Sequence, residues 1–197
     1  MIKVAITGNI ASGKSKVEEY ITTLGYKVID SDKINHEILS TDIFAIEEIK
    51  SAFLNYDILD EDGNLSREKI GKIVFNNIDL KKKLEEILHK RISIKIQEFY
   101  LKNSQEKVLF VSVPLLFEAN MQNQFDKIIF ISAPEEKRIQ RLINRNGYDI
   151  EYAKKRVASQ ISEDIKIPQV DYVIDNNSDL ENLYFQVDEI VNKITCL

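Results

Sequence analysis

Cysteine is almost missing from this chain of 197 residues: one, Cys196, leaves no intrachain disulfide and no cysteine-built metal site. Three Pro and six Gly exclude collagen-like and low-complexity classes. No uninterrupted apolar run approaches the length of a membrane span. The opening MIKVAITGN runs straight into a strand pattern, without the charged region, apolar stretch and cleavage site of a secretory signal. Basic charge is in deficit, with 27 Lys and Arg against 32 Asp and Glu for a net charge of −5. That balance argues against nonspecific binding to a nucleic-acid backbone and gives no support for an anionic-membrane binder. The expectation is a cytoplasmic protein with no nucleic-acid and no membrane partner. What is present, 44% hydrophobic and 30% charged residues, is a globular composition. The length suits one principal core with smaller appendages.

Along the chain, residues 2–7 read as a short strand and 14–24 as a helix, with Val17, Tyr20, Ile21 and Leu24 at helical spacing. Gly25 stands where a left-handed residue closes a helix, and residues 27–30 read as a second strand. Strand, helix, strand within some thirty residues is a βαβ unit, which builds a parallel sheet. Three further strands are expected at 108–113, 127–131 and 172–174. The first two are near-continuous apolar runs, as in strands covered on both faces. Residues 40–107 contain no clear strand. Their 79–103 portion carries Leu80, Leu84, Ile87, Leu88, Ile92, Ile96 and Phe99 on one helical stripe, and an insertion of this size is a candidate substrate-holding subdomain. Residues 135–144 and 151–161 read as two helices joined by a turn at 146–149. Near the end, Glu181–Gln186 spells the recognition hexapeptide of a tag-removing protease. Leu180, Leu183, Val187, Ile190, Val191 and Ile194 continue one helical stripe through it, so it reads as native.

The octapeptide Gly8-Asn9-Ile10-Ala11-Ser12-Gly13-Lys14-Ser15 fits G-x-x-x-x-G-K-[ST], between a strand and a helix. Glycines let the chain wrap with its amides pointing inward, and the following helix adds the positive end of its dipole. Lys14 would reach the β- and γ-phosphates, and the Ser15 hydroxyl would take one Mg²⁺ position. The dinucleotide pattern G-x-G-x-x-G is absent. The motif points to a nucleoside-triphosphate site.

Asp30 and Asp32 follow at the carboxyl end of the second strand, where strand periodicity would put both carboxylates on one face. Ligands bind beyond the carboxyl ends of parallel strands. A carboxylate there can take a proton from an attacking hydroxyl or orient Mg²⁺-bound water; equally, Asp32 or Ser31 could cap the helix that begins near Lys33. Arg138, Arg141, Arg145 and Arg156 cluster in the two-helix segment, with Arg141 and Arg145 on one helix face. Beside a phosphate loop, guanidinium groups on a mobile segment stabilise the charge of a transferring phosphoryl group.

These pieces together resemble the dephospho-coenzyme A kinase family over nearly the whole chain. The matching stretches are Val4–Gly8 with the phosphate loop, Gly25–Asp32, Leu88-His89, Val113–Glu118, Arg141-Leu142 with Arg145 and Gly147, Arg156–Gln160, and Val173–Asn176. The string V-P-L-L-F-E, in order with the Asp-x-Asp and the late Asp-Asn, is far more specific than the loop.

The resemblance implies an α/β P-loop kinase: a five-stranded parallel sheet flanked by helices, with a helical substrate-binding insertion and a lid. Residues 1–39, 107–133 and 165–197 would form the nucleotide-binding core, 40–106 the coenzyme A-binding region and 134–164 the lid. It implies transfer of the ATP γ-phosphate, with Mg²⁺, to the ribose 3′-hydroxyl of dephospho-coenzyme A. By the same resemblance Asp32 is the general base, Arg141 or Arg145 the lid arginine, and Asn176 lies near adenine. Residues 8–15 and Lys16 bind ATP, while His89 and Glu118 join Asp32 in contacting substrate. Four departures stand out. Asn9 and Ala11 replace two glycines of the usual loop; His36 replaces an arginine; Lys90 replaces a proline after His89; and Ser112 stands where an Asp is common. A switch-protein reading rests on Asp60–Gly63, which matches D-x-x-G, but no guanine-reading Asn-Lys-x-Asp accompanies it.

Overall fold

The computed structural model describes residues 1–196. Its sheet is β1 (Ile2–Gly8), β2 (Lys27–Asp30), β3 (Val108–Ser112), β4 (Lys127–Ser132) and β5 (Tyr172–Asp175). The spatial order is β2-β3-β1-β4-β5, and every pair is parallel. The five strands expected from the apolar runs are all present, each within a residue of its anticipated span. Parallel strands need crossovers; α-helices stand in all but the one between β3 and β4, and one more follows β5. These are α1 (Lys14–Thr23), α2 (Ser31–Thr41), α3 (Ile43–Ala52), α4 (Arg67–Phe75), α5 (Ile78–Lys102), α6 (Glu135–Asn146), α7 (Ile150–Ala158), α8 (Glu163–Lys166) and α9 (Leu180–Thr195).

Two compact units make up the chain. One runs from Met1 to Asp30 and resumes from Asn103 to the C-terminus; the other is Ser31–Lys102. In the first, β1 occupies the sheet centre, and its residues Val4, Ala5 and Ile6 are fully buried. One face packs Val4, Ile6, Phe110, Ile129 and Ile131 against Val17 and Ile21 of α1 and Leu183, Val187 and Ile194 of α9. The hexapeptide 181–186 is thus part of a helix whose Leu183 is 1% exposed, and Gln186 accepts from the amide of Asp175 and donates to its carbonyl. Tyr20 of α1 stacks on Tyr184 of α9 at 4.0 Å between ring centroids.

In the second unit, the long helix α5 packs against α2, α3 and α4. Arg91 of α5 lies 3.5 Å from Asp42 and 3.6 Å from Glu48. Between α3 and α4 the chain makes one antiparallel bridge, Leu59 to Leu65, and Asp60–Gly63 is the turn that joins them.

Several helix boundaries differ by one or more residues from the sequence expectation, two of them at the site. Helix α7 ends at Ala158 instead of 161, because the Gln160 side chain turns away to accept the amide of Ile10 at 2.6 Å. Asp32 lies in the first turn of α2, which starts directly at Ser31. The two-residue strand period therefore stops at Asp30, and Asp30 and Asp32 do not alternate as strand neighbours. Instead the Asp32 carboxylate meets the positive end of a helix dipole.

Candidate active site

The phosphate loop joins β1 to α1 at the carboxyl edge of the sheet centre. Both of its motif glycines are required by what surrounds them. A Cβ on Gly8 would come within 2.6 Å of the Ile131 carbonyl on the neighbouring strand. At Gly13, φ is +102° and a Cβ would lie 2.0 Å from the Asn176 amide nitrogen. Ala11 also has a left-handed backbone, with φ of 60°, a conformation that costs an L-residue roughly 1–2 kcal/mol. The glycine usual at that position would be free of this cost.

The loop is gripped by side chains from far along the chain. Arg141 of α6 donates through Nη1 to the carbonyls of Ala11 and Ser12, at 3.0 and 3.1 Å, and through Nη2 to the carbonyl of Asn176 at 3.3 Å. Buried Asn176 donates to the Ser12 carbonyl at 2.6 Å. Asn9 donates to the Ile161 carbonyl and accepts from Lys166 Nζ at 2.7 Å. Ile10 and Ala11 pack against a small cluster of α6 and α7 centred on Leu142, Ala153 and Val157. With the Ala11 and Ser12 carbonyls taken by Arg141 and Asn176, the amides of Lys14 and Ser15 at the start of α1 have no helical acceptor and offer donors to an anion.

Lys14 Nζ donates to Glu18 Oε1 and to Ser112 Oγ, both at 2.8 Å. Ser15 is exposed in the same first turn. Its hydroxyl is a hard oxygen donor and fits a Mg²⁺ ion that takes its other ligands from phosphate and water. Lys16 points elsewhere: its amide donates to the Gly13 carbonyl, and its exposed ammonium pairs with Glu19 at 2.8 Å, a hydrogen bond that raises its pKa above the ordinary lysine value.

The remaining expected residues divide. Arg145 is exposed and donates to its neighbour Asn146, so Arg141 alone of the pair reaches the loop. Arg138 is buried and donates to the Ala133 carbonyl, 3.7 Å from Glu163, as a structural cation at the start of α6. Arg156 lies exposed on α7. Glu118 accepts from Lys166 at 2.9 Å, while its other oxygen is buried with no hydrogen-bond partner among the described residues. In the helical unit, His89 is exposed on α5 and His36 faces Arg67, with Nδ1 3.3 Å from Nη1. Lys166 and Glu18 went unnoticed in the sequence. Lys166 is 1% exposed and also lies 5.7 Å over the Phe117 ring. No local pattern marks Lys166, whose partners are set by the fold; Glu18 follows Lys14 at an i, i+4 spacing, but its bond to Ser112 is set by the fold.

A parallel sheet of this order, with an anion-binding loop after its central strand and an arginine clamping that loop, defines a P-loop kinase. A model of the dephospho-CoA kinase family matches residues 2–182, and the chain belongs to that family. It is 39% identical to a dephospho-CoA kinase of Fusobacterium nucleatum over 191 residues, 97% of each chain. The structure of the dephospho-CoA kinase from Campylobacter jejuni superposes with a TM-score of 0.72 at 33% identity, covering 98% of this chain and 96% of the other. A shikimate kinase from Bacteroides thetaiotaomicron, with a TM-score of 0.55 at 13% identity, shares the fold alone. Among the described residues no helix is long and apolar enough to cross a membrane.

Proposed function

We propose that this chain transfers the γ-phosphate of ATP to the ribose 3′-hydroxyl of 3′-dephospho-coenzyme A, giving coenzyme A and ADP, and that it does so in the cytoplasm as the last step of coenzyme A biosynthesis. The observation that carries the reading is the clamped loop. Arg141 and Asn176 hold the carbonyls of residues 11 and 12 away from the first turn of α1, while Lys14 stands beside it.

In this reading the loop and helix start over residues 8–16, with the Lys14 ammonium, bind the triphosphate, the amides of Gly13, Lys14 and Ser15 among the donors, and Asn176 borders the adenine. Ser15 would hold Mg²⁺, which would supply positive charge against the phosphates. Asp32 accepts the proton of the 3′-hydroxyl as the new O–P bond forms and the bond to the β-phosphate oxygen breaks. Arg141 is the cation at the loop, and Arg145, one helical turn on, joins it when the segment 134–164 closes as a lid. Residues 40–106 hold the coenzyme A moiety, with His89 and Glu118 among the substrate contacts. The unpartnered Glu118 oxygen suits a hydroxyl donor.

Release of ADP on mixing ATP with dephospho-coenzyme A, adenosine or nucleoside monophosphates tests the assignment. Turnover should be far higher with dephospho-coenzyme A, and equal rates on the other acceptors would overturn it. Lys14→Ala should lower turnover by about 10²-fold or more, because positioning and charge do most of the work. Asp32→Asn should lower it by roughly 10²–10⁴-fold, the range of a lost general base, with thermal stability unchanged. Near-normal turnover in Asp32→Asn would remove Asp32 from that role.

A further inference from the structure

Glu18 is a carboxylate where a helix needs none. It lies on the buried side of α1, 8% exposed, among Val17 and Ile21. Burying a charge costs several kcal/mol unless it is paired and hydrogen-bonded, and Glu18 is both. Its Oε1 accepts from Lys14 Nζ at 2.8 Å and from Ser112 Oγ at 2.6 Å. Ser112 in turn accepts from Lys14, so the three side chains close a triangle at the end of β3. Ser112 is fully buried, and its register partners are Ile6 on β1 and Asp30 on β2. This is the position where an Asp was expected from the strings flanking it.

We propose that Glu18 is the positioning carboxylate of the phosphate site, supplying from α1, through Ser112, the negative charge that the end of β3 lacks. The inference rests on the reading of the loop as an ATP site. A lysine ammonium has three donors. Two are committed to Glu18 and Ser112. The third remains for a phosphate oxygen, and the Lys14 side chain keeps an exposure of 15%. A lysine so held has its ammonium fixed before nucleotide arrives, and less rotamer freedom is lost on binding. Asp30 stands beside Ser112 in the sheet but belongs to a different strand and is unaltered in every variant below.

The test moves the charge back. ATP affinity is measured by calorimetric titration without acceptor, together with melting temperature, for wild type, Glu18→Gln, Glu18→Ala and the double variant Glu18→Ala/Ser112→Asp. Glu18→Ala should weaken ATP binding by about tenfold or more, the worth of a hydrogen bond to a charged group. Glu18→Gln, which keeps an acceptor but not the charge, should fall between. The double variant should recover affinity to within about threefold of wild type, because an Asp at 112 places a carboxylate beside Lys14 again. A merely structural Glu18 would move melting temperature without this recovery. If Glu18→Ala does not fold, Glu18→Gln and the double variant still decide. Wild-type affinity or tighter binding in Glu18→Gln overturns the proposal, as does a folded double variant that binds ATP more than tenfold more weakly than wild type. Failure of wild type itself to bind ATP would instead overturn the reading of the loop.

Discussion

At the scale of single residues, the loop shows how narrow the tolerance for a Cβ is. Gly13 and Ala11 both have left-handed backbones, but their surroundings differ. At Gly13 an added methyl meets the Asn176 amide head-on, so Gly13→Ala should cost about 2 kcal/mol or more and abolish tight ATP binding. Chemical denaturation and nucleotide titration check the two parts. Ala11 already bears the strain of its φ of 60°. Ala11→Gly should therefore stabilise the fold by up to about 1 kcal/mol, the relief of left-handed strain less the extra freedom of an unfolded glycine. A loss of stability in Ala11→Gly would show that the Ala11 methyl, packed toward the α6–α7 cluster, is worth more than the strain it brings.

At the scale of elements, what was legible followed from local pattern. Strands β3 and β4 announce themselves as apolar runs because they are buried in the sheet, and the octapeptide names the loop because its glycines answer to backbone geometry. The Asp-x-Asp was read with the wrong period, since nothing local says that α2 starts immediately after β2. Lys166 and Glu18 were invisible for a different reason. Asn9 lies 157 residues from Lys166 and Ser112 lies 94 from Glu18, and such pairings exist only once the sheet order has brought the chain back; the Lys14–Glu18 pair alone is local. Of the shorter helices ahead of α5, α2 is anticipated near Lys33, whereas α3 and α4 are hidden, being brief and packed on the long helix. Helix α9 gives the element-scale prediction. Leu183, 1% exposed in the shared core of α1, α9 and the sheet, sits inside the hexapeptide that resembles a tag scar. Leu183→Ala should destabilise the protein by about 3 kcal/mol, read by urea denaturation. A cost under about 0.5 kcal/mol, the size of an ordinary surface substitution, would mean that the helix does not pack on the core.

At the scale of the whole molecule, the nucleotide-binding unit is interrupted. The chain leaves it after Asp30, builds Ser31–Lys102 as a separate helical unit, and returns at Asn103 to lay β3 between β1 and β2. The central strand pairs therefore join residues about as far apart as Ile2 and Val108, and the loop at their ends takes its clamp from Arg141 and Asn176, later still. The phosphate site is in this sense a product of the complete fold. The measurement that bears most directly on the account follows the phosphoryl group itself. The chain is incubated with γ-labelled ATP, Mg²⁺ and dephospho-coenzyme A, and the product is separated and its labelled position assigned by NMR. The label should appear on the ribose 3′-oxygen in wild type and be nearly absent with Lys14→Ala. Label remaining on ATP, released only as inorganic phosphate, or carried on another hydroxyl would contradict it.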